Sequence, residues 1–485
     1  MARGYSDALP DVLTEILLRS FGQTSAYLPF KQDGKVYNLY DMPKGFVIKG
    51  DLDLSNKGMV TLPDLTDVVV LGSFNCANNK LRSLKGAPQE VGGDFICYSC
   101  GLRNLTGGPQ KVGGKYNCQS NNMDSLIGAP KKIFGDFNCN SCSLKNLEGA
   151  PQEVVGNFEC IFNKLVSLEG APRTIGGSFR CSSSNLQSLK GAPQNVGGDF
   201  DCSHNQLSIL KYAPQKIGHD FICCFNKLKN LMYAPQNVGH TFDCSNNQLT
   251  DLTGAPQTIE GSFRCCDNKL TTLNGAPQTV GDYVNCDNNK LTLLTGAPRE
   301  VRGSFYCRKN SLTTLDGSSQ TIGGDFDCSE NQLTSLTGAP QTIGQDFVCS
   351  KNQLTSLTGA PQTIGKDFVC QENQLITLEG APKEIGGRLD CYRNETLQSL
   401  LGLAHLNKDT GVLCDWGLAY KYGLQGGSFR AEILFDRQEY SNEVAMDRLR
   451  RTVVKEREEQ EAKATAKIRA KFDAWLKTRD VENEK

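Results

Sequence analysis

The stretch GDFDCSENQLTSLTGAPQTIG, residues 324–344, is one copy of a unit that recurs through most of the chain. Sixteen cysteines spaced 21 residues apart, from Cys76 to Cys391, mark its register and are called the ladder cysteines below. Repetition at a period of about 20–50 residues is typical of a solenoid, in which each repeat packs against its neighbours. The sequence therefore predicts one long array, although 485 residues would ordinarily suggest about three domains.

Each repeat places the same residue types at fixed distances from its ladder cysteine. Usually an aromatic residue stands two before it, Asn three after, Leu five and eight after, and Val or Ile fifteen after; Cys100, Cys142 and Ser184 replace the Asn in three repeats. Because strand side chains alternate between faces, Phe-x-Cys predicts a short strand with Phe and Cys in the core. Gly-Ala-Pro follows, and Pro disfavours a helix interior. We expect the return of each repeat to be polyproline-like or short 3₁₀ helix.

The pattern F-x-C-x-x-N-x-L-x-x-L resembles the leucine-rich repeat core L-x-L-x-x-N-x-L, with Phe and Cys in two Leu positions. The first repeat, GDLDLSNKGMVTLPDL at residues 50–65, has Leu52 and Leu54 in those positions. The fuller form F-D-C-S-x-N-Q-L-T-S-L-x-G-A-P-Q is similar to cysteine-bearing repeats of tailed-phage and giant-virus proteins. This resemblance implies a leucine-rich-repeat solenoid of about 17 repeats of 21–22 residues. It also implies a parallel β-sheet on the concave face, little convex helix, and a phage or viral origin.

The sequence predicts four regions. Residues 1–49 form a partly helical N-terminal cap, because Leu13, Ile16 and Leu17 have helical spacing. Residues 50–403 form the solenoid, and residues 404–439 a C-terminal cap. Residues 440–485 form a long charged helix, and three alternatives remain open for it: a coiled coil, docking on a partner helix, or self-association through 440–478.

The ladder cysteines admit three interpretations. They could be small buried hydrophobes, disulfides between adjacent repeats, or zinc ligands where C-x-x-C occurs, at Cys97–Cys100 and Cys139–Cys142. Packing is favoured, so we predict no metal and no cofactor. Unpaired buried thiols suit a reducing compartment, and the N-terminus lacks the pattern of a cleaved signal peptide. We expect a cytoplasmic protein, of the host cell if viral, or a virion protein.

Charge and motifs argue against several functional classes. No P-loop, serine elbow or H-E-x-x-H is present, so we predict a non-enzyme. Cys414 with Asp415 is the best candidate for an enzyme in the C-terminal region. The net charge of -1 argues against nucleic-acid binding by the whole chain. Nucleic acid is also an unlikely partner for residues 448–477, where acidic residues interleave with basic ones. No apolar run is long enough to span a membrane.

Two polar patterns leave alternatives open. Asp325, Asp346 and Asp367 stand three before consecutive ladder cysteines. They could share a cation, meet a basic partner, or accept hydrogen bonds from local backbone donors. His219 and His240 are 21 residues apart and are predicted to stack on adjacent repeats, as a weak metal site or as solvent-facing variation at a glycine position.

The outward strand face is predicted to carry the function. Its positions lie one before, one after and two after each ladder cysteine, and most of them are polar. Exceptions on a rigid surface are good anchors for a partner. The candidate partner-binding residues are Tyr98, Ile161, Phe162, Ile222, Phe225, Tyr306, Arg308, Val348 and Val369. We expect a non-enzymatic protein-interaction scaffold; the alternatives are a virion structural protein or adhesin anchored by the C-terminal helix, and an enzyme.

Overall fold

The computed structural model describes residues 27–398, residue 400, residues 410–414 and the backbone of residues 428–430. The chain divides into two compact units, residues 1–198 and 199–485, which are described separately. The predicted helix around Leu13, most of the predicted C-terminal cap and the predicted charged helix lie outside the described residues. The described residues are a β-solenoid with almost no helix, as the repeat predicted; their helical segment is a single 3₁₀ turn, Leu39–Asp41.

Each repeat begins with a short strand that ends one residue before its ladder cysteine. These strands pair in parallel with their neighbours in strict register, so that Tyr116 lies opposite both Phe95 and Phe137. We call this row the cysteine sheet. In the first unit its strands are Leu52–Asp53, Phe74–Asn75, Phe95–Ile96, Tyr116–Asn117, Phe137–Asn138, Phe158–Glu159 and Phe179–Arg180.

The second unit continues the same pattern through ten repeats. Its cysteine-sheet strands are Phe200–Asp201, Phe221–Ile222, Phe242–Asp243, Phe263–Arg264, Val284–Asn285, Phe305–Tyr306, Phe326–Asp327, Phe347–Val348, Phe368–Val369 and Arg388–Asp390. The strand Gly411–Leu413 pairs in parallel with Arg388–Asp390, and Ser428–Arg430 pairs antiparallel with Gly411–Leu413.

The return half of each repeat differs from our expectation. A second row of two-residue parallel strands runs through the Val or Ile fifteen residues after each cysteine. The in-register period lets these residues exchange backbone hydrogen bonds with the next repeat, which satisfies donors that a polyproline segment would leave to water. In the first unit these strands are Val47–Ile48, Val69–Val70, Glu90–Val91, Lys111–Val112, Lys132–Ile133, Glu153–Val154, Thr174–Ile175 and Asn195–Val196.

The return strands of the second unit occupy the same position in the repeat. They are Lys216–Ile217, Asn237–Val238, Thr258–Ile259, Thr279–Val280, Glu300–Val301, Thr321–Ile322, Thr342–Ile343, Thr363–Ile364 and Glu384–Ile385. Before the first repeat, an antiparallel hairpin joins Pro29–Gln32 to Lys35–Asn38.

The core is a stack of identical layers. Phe158 and Phe179, for example, stack with ring centroids 5.3 Å apart and an interplanar angle of 5°. The Leu positions five and eight after the cysteine are likewise buried. This confirms the predicted assignment of Phe, Cys and both Leu positions to the interior.

Tyr116 is the exception in the aromatic stack. Its hydroxyl is fully buried and has no hydrogen-bond partner among the described residues. Gly108, where most repeats have Ala, provides room for it: a Cβ atom at Gly108 would lie 2.9 Å from the Tyr116 hydroxyl oxygen. The Gly-Gly-Pro of this repeat therefore follows from the replacement of Phe by Tyr.

The ladder cysteines are buried thiols. No disulfide forms among the cysteines of the described residues, and the ladder cysteines have no exposed surface or almost none. Burial raises the pKa of the Cys202 and Cys223 thiols well above its usual value, so they remain neutral. Several thiols also lie within hydrogen-bond distance of the next repeat, as Cys286 Sγ does, 3.2 Å from the Tyr306 carbonyl oxygen. Among the described residues no cluster of three or more metal-ligating side chains occurs.

The Asn three after each cysteine joins neighbouring repeats. Asn331 Nδ2 donates to the carbonyl oxygens of Cys307 at 2.9 Å and Cys328 at 3.1 Å, and its Oδ1 accepts from the Leu312 amide at 3.0 Å. Cys142 stands in an Asn position, and its thiol reaches the carbonyl of Cys118 at 3.2 Å. A Cys side chain in this position therefore supplies a hydrogen-bond donor in place of Asn Nδ2, but no acceptor in place of Asn Oδ1.

Candidate partner-binding surface

The position two after each ladder cysteine, where the chain turns away from the sheet, has a left-handed conformation. In every repeat this residue has a φ between 53° and 57° and none is glycine. Asn, Asp and other small polar residues tolerate this conformation, whereas it strains bulky side chains. Phe162 and Phe225 are therefore unusual occupants, because each places a large aromatic ring where the backbone favours a polar residue.

In the first unit, Phe162 is the most exposed of the predicted residues. Its side chain is 65% exposed, whereas Ile161 and Tyr98 are half-buried. The Cys97 and Cys160 repeats are three repeats apart, or about 14 Å at a strand spacing of about 4.8 Å. Tyr98 therefore does not join the pair Ile161–Phe162 in one patch.

In the second unit, Phe225 is 47% exposed and stacks on His204 of the preceding repeat. The two ring centroids are 4.2 Å apart and nearly parallel, at 10°. Ile222 is half-buried beside them. Cys224, expected on the exposed face, is only 9% exposed, and burial raises its pKa to about 12. The position one after the ladder cysteine is thus less exposed than the alternation of strand side chains predicted: the Cys224 thiol interacts with Ser203 of the preceding repeat, and Ser203 and Ser245 at the equivalent positions are buried too.

Tyr306 and Arg308 are held by carboxylates of the second unit. Arg308 Nη2 lies 2.7 Å from Asp287 Oδ2, and this hydrogen bond raises the pKa of the guanidinium. The Tyr306 hydroxyl lies 3.5 Å from Asp325 Oδ2. Both polar ends are thus engaged within the sheet, which makes these residues weaker anchors than a free aromatic side chain.

Val348 and Val369 lie directly opposite one another on adjacent strands, as their spacing implied. Both are half-buried. They form a small apolar pair, separate from the Cys223 and Cys307 repeats.

The aspartates before the strands accept hydrogen bonds from backbone amides of the next repeat. Asp325 Oδ1 accepts from the Asp346 amide at 3.1 Å, and Asp346 Oδ1 accepts from the Asp367 amide at 2.9 Å. This supports the interpretation of these carboxylates as acceptors for local backbone donors. His240 similarly meets the previous repeat, with Nδ1 3.0 Å from Asp220 Oδ1.

Sequence inspection missed Tyr212 and Tyr233. Both side chains are exposed, and both have a positive φ, 73° and 69°. The signal was present, because Gly-Ala-Pro becomes Tyr-Ala-Pro in two consecutive repeats. These two positions lie outside the predicted outward face, which comprised only residues within two positions of a ladder cysteine.

The remaining predictions concern catalysis and membranes. Cys414 is fully buried, so its thiol is not presented at the surface, and Asp415 lies outside the described residues. No helix in the described part of the chain is long and apolar enough to cross a membrane.

Comparison with solved structures finds leucine-rich repeat proteins. YopM from Yersinia enterocolitica has a TM-score of 0.41 and 19% identity, over 75% of this chain and 91% of that chain. YopM from Yersinia pestis, a leucine-rich effector protein, has a TM-score of 0.42 and 18% identity, over 74% of this chain and 88% of that chain. A leucine-rich repeat protein from Bacteroides eggerthii has a TM-score of 0.35 and 14% identity, over 74% of this chain and 58% of that chain. No family model matches the sequence, and no curated protein matches it. The described residues themselves form a β-solenoid of parallel-strand repeats.

Proposed function

We propose that this protein is a non-enzymatic protein-interaction scaffold that binds a partner through the outward face of its cysteine sheet. The observation that carries this proposal is the exposure of Phe162 and Phe225 in left-handed positions. Ile161 and Ile222 extend the two apolar sites, and Tyr98, Tyr306, Val348 and Val369 are secondary contacts. Arg308 contributes mainly to the local ion pairs.

The architecture separates stability from recognition. The interior Phe, Cys, Asn and Leu positions hold neighbouring repeats together, so outward positions can vary without disturbing the fold. An aromatic side chain on such a rigid surface loses little conformational entropy on binding and removes a large apolar area from water. A Phe that strains its backbone and remains exposed contributes to binding rather than to folding.

The test uses the full chain as bait in cells that express it, with the captured partner identified by mass spectrometry and then purified. We expect Ile161→Ser/Phe162→Ser and Ile222→Ser/Phe225→Ser each to weaken binding of that partner by about 10-fold or more. Circular dichroism should be unchanged, because none of these side chains fills the core.

Lys351→Ser and Glu372→Ser are matched controls, because they alter the same left-handed position in other repeats. Both should bind the partner normally. Unchanged affinity of the combined four-residue variant would refute this site. The phage or viral origin, the virion alternative and the role of residues 440–478 stay predictions; mass spectrometry of purified particles would test the virion alternative.

A further inference from the structure

Tyr212 and Tyr233 occupy a position that otherwise belongs to glycine. Of the fifteen repeats whose Gly-Ala-Pro position falls between residues 86 and 380, thirteen have Gly there, with φ between 82° and 99°. The position is the third residue of a tight turn, closed in the Cys202 repeat by the Ala213 amide and the Leu210 carbonyl at 2.9 Å. A β-turn with positive φ at this residue favours Gly, because an L side chain is strained there.

The surroundings explain why Gly is preferred. A Cβ atom at Gly254, in the following repeat, would lie 2.4 Å from the Leu231 carbonyl oxygen. The two tyrosines avoid such a clash by a smaller φ, 73° and 69°. The backbone has therefore adapted to the side chains in both repeats.

Nothing in the core offsets this strain. Tyr212 is 45% exposed and Tyr233 is 54% exposed. The Lys211 ammonium lies 5.1 Å from the centroid of the Tyr212 ring, a contact between two exposed side chains. Strain that persists at an exposed side chain points to a role outside folding.

The tyrosines belong to a larger exposed surface, the tyrosine patch, formed by Ile209, Lys211, Tyr212, Lys229, Met232 and Tyr233. The two repeats that carry the patch are joined by backbone pairing both before and after the patch residues. The Lys227 amide donates to the Leu207 carbonyl at 2.8 Å, and Lys216 pairs with Asn237 in the return strands. Tyr212 and Tyr233 therefore occupy equivalent places on neighbouring repeats.

The patch is positively charged, and its lysines are not paired with carboxylates in the described residues. Residues 206–219 and 227–240 contain four lysines and no Asp or Glu. Within the described residues none of these four lysines forms a salt bridge, whereas return-segment lysines of the first unit do, such as Lys132 with Glu153 at 2.6 Å. Asp251 follows in the next repeat, where its carboxylate accepts from the Thr253 amide at 2.9 Å.

We infer that the tyrosine patch binds an extended acidic peptide segment of a partner protein, one that carries apolar side chains between its carboxylates. Lys211 and Lys229 would meet the carboxylates, and the tyrosine rings and Met232 would cover the apolar side chains. The apolar Ile209 and Met232 favour a peptide over a nucleic acid, whose phosphates and bases would need only cationic and planar partners. This site is distinct from the outward face of the cysteine sheet and does not depend on it.

The test measures fluorescence anisotropy of a labelled peptide of about 12 residues that alternates Glu with Leu or Phe, a length typical of extended recognition segments. The full chain should bind it, and added salt should weaken the binding. Tyr212→Gly/Tyr233→Gly should weaken it about 10-fold or more. Lys211→Gln/Lys229→Gln should weaken it by a similar factor and reduce the salt dependence.

Tyr212→Gly/Tyr233→Gly restores the residue used by other repeats, so its unfolding temperature should equal or exceed that of the wild type. Loss of binding in this variant therefore cannot come from unfolding. Phe162→Ser is the matched control and should bind the peptide normally. The inference is overturned if the wild type does not bind the acidic peptide, or binds it as tightly after the Tyr→Gly changes. Equal or tighter binding of an oligothymidine of the same length, or a dimer that the Tyr→Gly variant disrupts, would also overturn it.

Discussion

Residues 164–198 of the first unit and residues 206–240 of the second pass through the same positions of the repeat, yet their surfaces differ. In the first segment, Gly170 and Gly191 make the tight turns, and Lys190 pairs with Glu169 at 2.7 Å. In the second, tyrosines make the turns and the lysines are unpaired.

Their interiors are nevertheless almost the same. The Leu positions and the Val or Ile positions are buried in both, and the buried Asn position holds Ser184 in the first segment and Asn226 in the second. Interior positions therefore carry the stability of this solenoid, which leaves the surface of a repeat free to become a binding site. Four experiments test this division, beginning with the largest expected effect.

High pH should destabilise both units strongly, because buried ladder cysteines line the interior of each unit. Burial raises the pKa of Cys160 and Cys202 above the unfolded value, so stability is complete below about pH 8.5 and is lost as pH rises above it. Above about pH 8.5, each such thiol lowers the free energy of unfolding by about 1.4 kcal/mol per pH unit. Urea midpoints measured under reducing conditions should fall steeply between about pH 8.5 and 10. A flat profile would mean that the thiols ionise without unfolding.

Replacing an interior Asn should lower the free energy of unfolding by the same amount in the two units. Asn163 Nδ2 donates to the carbonyls of Cys139 and Cys160, and Asn226 Nδ2 donates to those of Cys202 and Cys223, all at 2.9–3.1 Å. Asn163→Ala and Asn226→Ala each leave buried backbone groups without partners.

We expect each Asn→Ala change to lower the free energy of unfolding, measured by chemical denaturation, by about 3 kcal/mol. Asn122→Ala, at a position with an exposed side chain, is the control and should change stability little. A loss of stability confined to one of the two units would contradict the idea of a common interior.

Transferring the tyrosines should destabilise the first segment. A Cβ atom at Gly191 would lie 2.5 Å from the Leu168 carbonyl oxygen, and φ is 91°. Gly191→Tyr should therefore cost about 1–2 kcal/mol, measured by urea unfolding. Gly50→Tyr, where φ is not positive and no atom lies within 4 Å of a Cβ, is the control. Full tolerance of Gly191→Tyr would remove the argument that Tyr212 and Tyr233 are strained.

Exchanging the surface charges should have the smallest effect. Glu169→Met leaves Lys190 without this partner, and Met232→Glu offers one to Lys211. Exposed ion pairs contribute little, so each change should alter the free energy of unfolding by about 0.5 kcal/mol or less. A change above about 2 kcal/mol would show that the surface of the return segment takes part in holding the repeats together.

Much of the fold could be predicted because the repeat tests each position many times. Phe326, Cys328, Asn331 and Leu333 recur at fixed spacing, and the structure confirms all four positions as interior. The second row of strands was missed, because Gly-Ala-Pro was taken to govern the whole return. Two-residue strands form there since the next repeat, 21 residues away, supplies backbone partners that no local pattern reveals.

The candidate site was harder to predict than the core. Phe162 and Phe225 are exposed as expected, yet Cys224 is covered and Arg308 is bound to Asp287. Exposure of an outward residue depends on side chains one repeat away, which a pattern within one repeat does not contain. Tyr212 and Tyr233 could have been found as breaks in Gly-Ala-Pro, since the sequence contains that signal directly.

The sequence by itself determined the period, the interior positions and the burial of the ladder cysteines, because repeated apolar spacing allows few arrangements that hide it from water. Only the tertiary structure decided the left-handed residues after each cysteine, the second row of strands, and which lysines remain unpaired. These features depend on contacts between residues 21 apart in the chain. The strain at Tyr212 and Tyr233 likewise becomes visible only through their backbone angles.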